Sequence, residues 1–191
     1  MRTEQDLVAM CLALSAGECD ISPVERKLIS AALGSRPKTS DVDAVRTAIL
    51  RGADPLGEAF LSLRAAAERR ATGAVYTPAS IVASMMSWLA GQGSPVRIVD
   101  PGAGSGRFAL AAAQAFPDAQ LIAIEMDPLC ALTLRANLHV RGWTDRATVL
   151  VKDYRDVKLP NASGVTAFIG NPPRPVRRDI DDEHVRHVGD A

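Results

Sequence analysis

The sequence has no excess charge of either sign: 22 Lys and Arg balance 22 Asp and Glu. A uniformly basic surface that would attract nucleic acid from every side is therefore excluded, and any such contact has to be a local patch. Cysteine is scarce. Cys11, Cys19 and Cys130 form neither a C-x-x-C pair nor an even set, which argues against a disulfide framework and a zinc site and fits reduced thiols in a cytoplasmic setting. No run of apolar residues approaches the roughly 18 that a membrane-spanning helix needs. The first twenty residues have an apolar centre followed by small residues, but Glu4 and Asp6 stand against Arg2 where a signal peptide would be basic. Leu7, Met10, Cys11 and Leu14 recur at helical spacing, so an amphipathic helix is expected instead. His184 and His187 lie in the tail without an H-E-x-x-H pattern, and no metal site is expected there.

The 191 residues, 47% of them apolar, suffice for one medium domain with an appendage. Residues 1–70 read as short helices. Ser22, Pro23 and Glu25 make a capping box that opens one helix, ending on Gly34; Ser40 opens a second through Leu50; Asp54-Pro55 opens a longer one towards Arg70. This region holds ten acids and ten bases without a catalytic cluster, so a packing or interaction module is expected.

From residue 71 to the end the pattern changes to alternating strand and helix. Thr77 and Pro78 read as N-cap and first residue of a helix to Gly91. Four strands follow, at 96–100, 120–126, 147–153 and 165–171, with helices after the first two. The predicted fold is α/β, a Rossmann-like parallel sheet of about four strands behind a helical N-terminal region, with ligands at the carboxyl ends of the strands.

Every chemically distinctive residue falls at such an end. Gly102-Ala103-Gly104-Ser105-Gly106 lets the backbone approach a ligand and leads into a helix with free N–H groups. The spacing is G-x-G-x-G, which is not the dinucleotide fingerprint. At the second tip Glu125 can accept from both hydroxyls of a ribose, and Met126 can cover a base. Asp153 at the third can accept from an exocyclic amino group. At the fourth, Asn171-Pro172-Pro173 ends a strand in a rigid extended turn. Taken together these positions suggest a nucleoside site.

The ordered segments GAVYTP, VDPGAGSG, IEMDP, KDY and NPP, spanning residues 71 to about 175, resemble the motifs of S-adenosylmethionine-dependent N6-adenine DNA methyltransferases in which the cofactor motifs precede the catalytic one. The resemblance implies that Tyr76, Thr77 and Pro78 flank the methionine part of S-adenosylmethionine. It implies that Asp100, Gly102, Ala103, Gly104 and Gly106 hold the amino acid end. Glu125 would take the ribose, Met126 the adenine face, and Asp153 with Tyr154 the adenine edge. Asn171, Pro172, Pro173 and Arg174 would form the catalytic turn, with Asn171 also bordering the cofactor. Two carbonyl acceptors, on Asn171 and Pro172, would then aim the lone pair of a flipped-out adenine amino group at the methyl.

Two departures accompany the resemblance. Arg174 stands where tyrosine or phenylalanine is usual, and four of the family's seven strands are found before Ala191. The expectation is a piece of a longer enzyme or a chain whose fourth strand is covered by a partner subunit or a second copy, with DNA recognition supplied elsewhere. Methylation of RNA or of a protein glutamine, which shares the N-P-P chemistry, and a half-sheet that only binds cofactor or a partner remain the alternatives.

Overall fold

The computed structural model describes residues 1–15, 21–64 and 77–172. Helices α1 (Glu4–Ser15), α2 (Pro23–Ala31), α3 (Thr39–Leu50) and α4 (Pro55–Leu63) come first, then α5 (Ala79–Gln92). The alternating part runs β1 (Arg97–Pro101), α6 (Arg107–Ala115), β2 (Gln120–Glu125), α7 (Pro128–Val140), β3 (Ala147–Val151) and β4 (Thr166–Phe168), with single 3-10 turns at Thr144–Arg146 and Tyr154–Asp156.

The four strands form one sheet in the order β3-β2-β1-β4, and every pair is parallel. The chain steps outward from β1 to β2 to β3, then crosses back to place β4 on the far side of β1. That reversal is a topological switch point, and open α/β sheets bind ligands in the crevice beyond the carboxyl ends of the strands that flank it, here β1 and β4. β4 is three residues long, but its pairing extends at both ends, with Val96 N–H donating to Val165 O and Ile169 N–H to Val99 O.

One core fills the space between the sheet and α5, α6 and α7. Ile98, Leu121, Ala123, Val149 and Ala167 from the strands meet Val82, Met86 and Leu89 of α5, Phe108, Ala109, Ala112 and Ala113 of α6, and Ala131, Leu134 and Leu138 of α7. The alanines of α6 let that helix approach the strands closely, as expected for a helix that must cover a twisted parallel sheet.

Helix α7 is apolar on more than one face and accordingly has almost no solvent surface. Its second face, Leu129, Cys130, Leu132 and Ala136, belongs to another core with Leu7, Met10, Cys11 and Leu14 of α1, Ile49 of α3, and Leu56 and Phe60 of α4. The helical module thus packs on the outer side of α7. The charged residues buried in this sandwich, Arg135 and Glu25, are paired. Arg135 lies against Glu25 of α2, with Nε to Oε1 at 2.7 Å, and also donates from Nη2 to Val149 O at 2.9 Å. The expected capping box is present, so Glu25 accepts from Ser22 N–H as well.

Several element boundaries differ from the sequence reading: β3 ends at Val151 and β4 at Phe168, short of the expected 153 and 171, and three helix boundaries shift for local reasons. Helix α2 closes at Ala31, with Ala32 as its C-cap, short of Gly34. Helix α4 stops at Leu63, where Arg64 turns extended and reaches both Glu4 and Asp127. Helix α5 starts at Ala79 with Pro78 in the cap position, because Thr77, the expected cap, is buried and engaged elsewhere. Among the described residues no helix is long and apolar enough to cross a membrane.

Candidate functional site

The glycine loop between β1 and α6 is drawn across the sheet by two donors, Gly102 N–H and Ala103 N–H, both onto Ile124 O at 2.8 and 2.9 Å. Its turns need φ of +78° at Gly102, +59° at Gly104 and +103° at Gly106, a region costly for residues with a Cβ. The glycines play different parts. A methyl on Gly106 would lie 2.4 Å from Leu134 Cδ1, so this residue lets the loop sit down on α7. A methyl on Gly104 would meet nothing within 4 Å, so there the backbone faces open space.

Two carboxylates frame that space. Asp100 is fully buried at the end of β1, and its Oδ2 accepts from Ala109 N–H at 2.9 Å, capping α6. Its Oδ1 has no hydrogen-bond partner among the described residues. Burial pushes the Asp100 carboxyl up to about 8, with the Ala109 N–H opposing and the charge of Glu125 adding to the rise. Glu125, at the tip of β2, accepts from Gly104 N–H through Oε2 and from Asp127 N–H through Oε1, each at 2.8 Å. Burial raises its carboxyl above the ordinary value, with those N–H groups opposing. Each Glu125 oxygen retains a lone pair for a further donor. Next to it Met126 is 62% exposed.

The raised Asp100 carboxyl has a consequence for stability. The folded state binds a proton that the unfolded chain, near the ordinary value of 3.8, has already released. The Asp100 contribution to stability is therefore complete below pH ~4 and lost as pH rises towards 8. Between pH 5 and 8 the unliganded protein should lose stability more steeply than Asp100→Asn, as read by calorimetric melting. Parallel profiles for the two would refute the assignment.

At the β4 end, Gly170 crosses over Asp100: a Cβ there would fall 2.5 Å from Asp100 Oδ1. Asn171 follows, and its Nδ2 donates to Thr77 Oγ1 at 3.4 Å, while Thr77 O accepts from Arg107 Nη1 at 2.7 Å. Thr77, Asp100, the glycine loop, Glu125 and Asn171 are thereby gathered around the β1/β4 crevice, with Pro78 and Pro172 adjoining in the chain. Asp153, though held at its strand tip, is committed differently. Its carboxylate accepts from Arg155 N–H and takes the Arg155 guanidinium in a two-pronged contact, which holds it down at about 2. Tyr154 opens the 3-10 turn beside it. Tyr76, Pro173 and Arg174 lie outside the described residues.

Sequence reading missed several residues at this site. Gly170 is required by the crossing over Asp100, and Ser105 by a hydrogen bond to Asp54 at 2.7 Å. The only hint in the sequence was a glycine, Gly57, inside a helix just after an Asp-Pro start.

The family model for N-6 DNA Methylase matches residues 53–175. The Type II methyltransferase M.XamI of Xanthomonas campestris pv. amaranthicola is 57% identical over 191 residues, covering 96% of this chain and 34% of the relative. A tRNA1(Val) (adenine(37)-N6)-methyltransferase of Porphyromonas gingivalis is 37% identical over 82 residues, 41% of this chain and 32% of that protein. Among solved structures, a methyltransferase from Geobacter sulfurreducens superposes with a TM-score of 0.39 at 26% identity, covering 61% of this chain and 56% of the other. The chain spans about a third of the length of the two curated relatives.

Proposed function

Because this chain belongs to the N-6 DNA methylase family, we propose that it is the cofactor-binding and N-P-P-bearing part of a methyltransferase that modifies the N6 amino group of adenine in DNA. The observation that carries this reading is the hydrogen bond between Asn171 and Thr77. It joins Asn171 of the N-P-P segment to Thr77 of the Y-T-P segment, which supports reading the two segments as parts of one site beside the glycine loop.

The residues present fit S-adenosylmethionine. Oδ1 of Asp100, without a partner among the described residues, becomes a buried acceptor for an ammonium group once the carboxyl gives up its proton. The open face of Gly104 admits close backbone approach. The spare lone pairs of Glu125 suit the two ribose hydroxyls, and the exposed thioether of Met126 suits a base face. Thr77 and Pro78 border the methionine side. Asp153 takes the adenine amino group while retaining Arg155, since a carboxylate has about four acceptor sites. When bound, the cofactor supplies an electrophilic methyl on a sulfonium.

What remains for the protein is to prepare the adenine nitrogen, a poor nucleophile because its lone pair is delocalised into the ring. With Nδ2 of Asn171 committed to Thr77, Oδ1 is left to accept one amino proton, and Pro172 O accepts the other. Two fixed acceptors favour a tetrahedral nitrogen whose lone pair leaves the ring plane. Little general-base strength is called for. The base must leave the duplex to reach this turn, and Arg174 offers a guanidinium plane for stacking it. Recognition of a DNA sequence belongs to other parts of the longer protein or to a partner subunit. The setting is cytoplasmic, in keeping with the unpaired, buried Cys11 and Cys130.

Titration calorimetry with S-adenosylmethionine tests the first half of the reading. Binding is expected in the unaltered protein, and Glu125→Ala should weaken it by about 1 to 3 kcal/mol, the usual cost of a lost hydrogen bond to a charged group. Equal affinity would remove Glu125 from the site. Methyl transfer by the full-length protein to DNA, tRNA and a glutamine-bearing protein tests the second half. The tRNA-modifying relative favours RNA as the second reading, since its named target is also N6 of an adenine. Transfer to tRNA without transfer to DNA would replace the proposal by that one.

A further inference from the structure

Helix α4 lies outside the motifs just described, yet it touches the glycine loop at its centre. Asp54 caps this helix, its Oδ1 accepting from Gly57 N–H at 2.9 Å. The other oxygen, Oδ2, accepts from Ser105 Oγ at 2.7 Å, across 51 residues of sequence. Asn137 of α7 completes the junction, donating from Nδ2 to Asp54 Oδ1 and to Ser105 O, each at 3.3 Å. One carboxylate therefore joins the helical module, the buried helix α7 and the loop.

Gly57 gives an independent sign that this contact shaped the helix. Glycine inside a helix is less favourable than alanine by about 1 kcal/mol. Here an added Cβ would fall 2.1 Å from Asp54 Oδ2 and 2.4 Å from Ser105 Oγ, so only glycine lets the helix and the loop come this close. The far end of the same helix reaches the neighbouring strand tip, where Arg64 Nη2 meets Asp127 Oδ2 at 3.3 Å, one residue beyond Met126.

From this junction we infer that Asp54 is a positioning residue for the glycine loop, acting through Ser105. The inference rests on the reading of that loop as the cofactor site. The loop contains three positive-φ glycines, which give the unfastened segment many conformations. Ser105 supplies the one side-chain hydroxyl between Gly104, whose N–H holds Glu125, and Gly106, which seats the loop on α7. Fastening Ser105 raises the fraction of molecules whose loop is already in the binding geometry. Apparent cofactor affinity scales with that fraction.

The test uses the full chain and S-adenosylmethionine itself. Ser105→Ala deletes the loop hydroxyl and leaves the α4 cap intact; Asp54→Ser retains a good capping group but is too short to reach Ser105. Each should weaken cofactor binding at 25 °C by roughly ten-fold, the value of about one hydrogen bond to a charged group. The double variant should be no weaker than the worse single one, because both remove the same contact. Amide hydrogen exchange at residues 103–107 of the unliganded protein should quicken by a similar factor while β2 is unaffected. A role confined to helix stability would lower the melting temperature and leave both readouts unchanged, overturning the inference. If Asp54→Ser does not fold, Ser105→Ala decides alone. No binding by the unaltered protein would overturn the cofactor reading and this inference with it, whereas equal binding by all forms would overturn this inference alone.

Discussion

Asn171→Ala, introduced into the full-length enzyme, is expected to lower the rate of methyl transfer by about 10² to 10³, the usual effect of losing one positioned acceptor. Cofactor affinity should change little. The side chain stands on the turn after β4, whereas the groups proposed to hold the cofactor lie at the ends of β1, β2 and β3, in the glycine loop and just before α5. Its amide is oriented by Thr77, so the substitution removes both the acceptor and the contact that aims it. Pro172 O would remain, and one acceptor cannot fix the direction of the nitrogen lone pair. Single-turnover kinetics with saturating DNA, beside cofactor titration of the same variant, separates the two effects. Undiminished transfer would leave the prolines as a strand terminator, and a matching loss of cofactor affinity would place Asn171 among the binding groups instead.

The largest effect on stability is expected from Glu25→Ala. The carboxylate is fully buried, and its partner Arg135 is nearly so, with a side-chain exposure of 10%. Such a pair adds little net stability over an apolar one, because desolvation offsets the attraction. Removing one member is different. The Arg135 guanidinium would retain Val149 O as an acceptor but would lose the carboxylate it is paired with among the described residues, at a cost of about 3 to 5 kcal/mol. For a chain of this size that is a fall in melting temperature of roughly 10 °C. Replacing both residues with methionine should recover most of the loss, because neither charge is then left buried. A cost for the single substitution within about 1 kcal/mol of zero would mean that water reaches Arg135 when Glu25 is gone.

The two parts of the chain were legible to different degrees for a physical reason. Strands β1 to β4 are legible because each is built on a short apolar run, such as Ile98-Val99 or Ala167-Phe168, with turn-forming residues close behind it, Pro101 after β1 and Asn171-Pro172 after β4, and because a parallel strand needs no alternation of apolar and polar residues. The capping box of α2 and the Asp127 cap of α7 are local and equally readable. Contacts made at long range were not. Nothing near Thr77 indicates that its hydroxyl is taken by a residue 94 positions later, and so its local pattern is that of a helix cap. Asp54 and Glu25 were read as capping residues, which they are; that their carboxylates also reach Ser105 and Arg135 depends on how the helical module docks. The sheet order likewise lies beyond local patterns, because the position of β4 beside β1 is decided by which edge its crossover can reach.

That position bears on the order in which the molecule comes together. β1, β2 and β3 pair in sequence, each new strand joined to the last by one helix. Pairing of β4 with β1 brings Arg97 to Thr166, 69 residues apart, and encloses α6, β2, α7 and β3 within the loop it closes. Of the three strand pairs it therefore costs the most chain entropy, and that cost is met before its few hydrogen bonds are gained. A three-stranded sheet already built lowers the cost by holding β1 in place. Assembly then runs from the glycine loop outward, and the turn carrying Asn171 is laid last, onto a pocket whose floor is already in position.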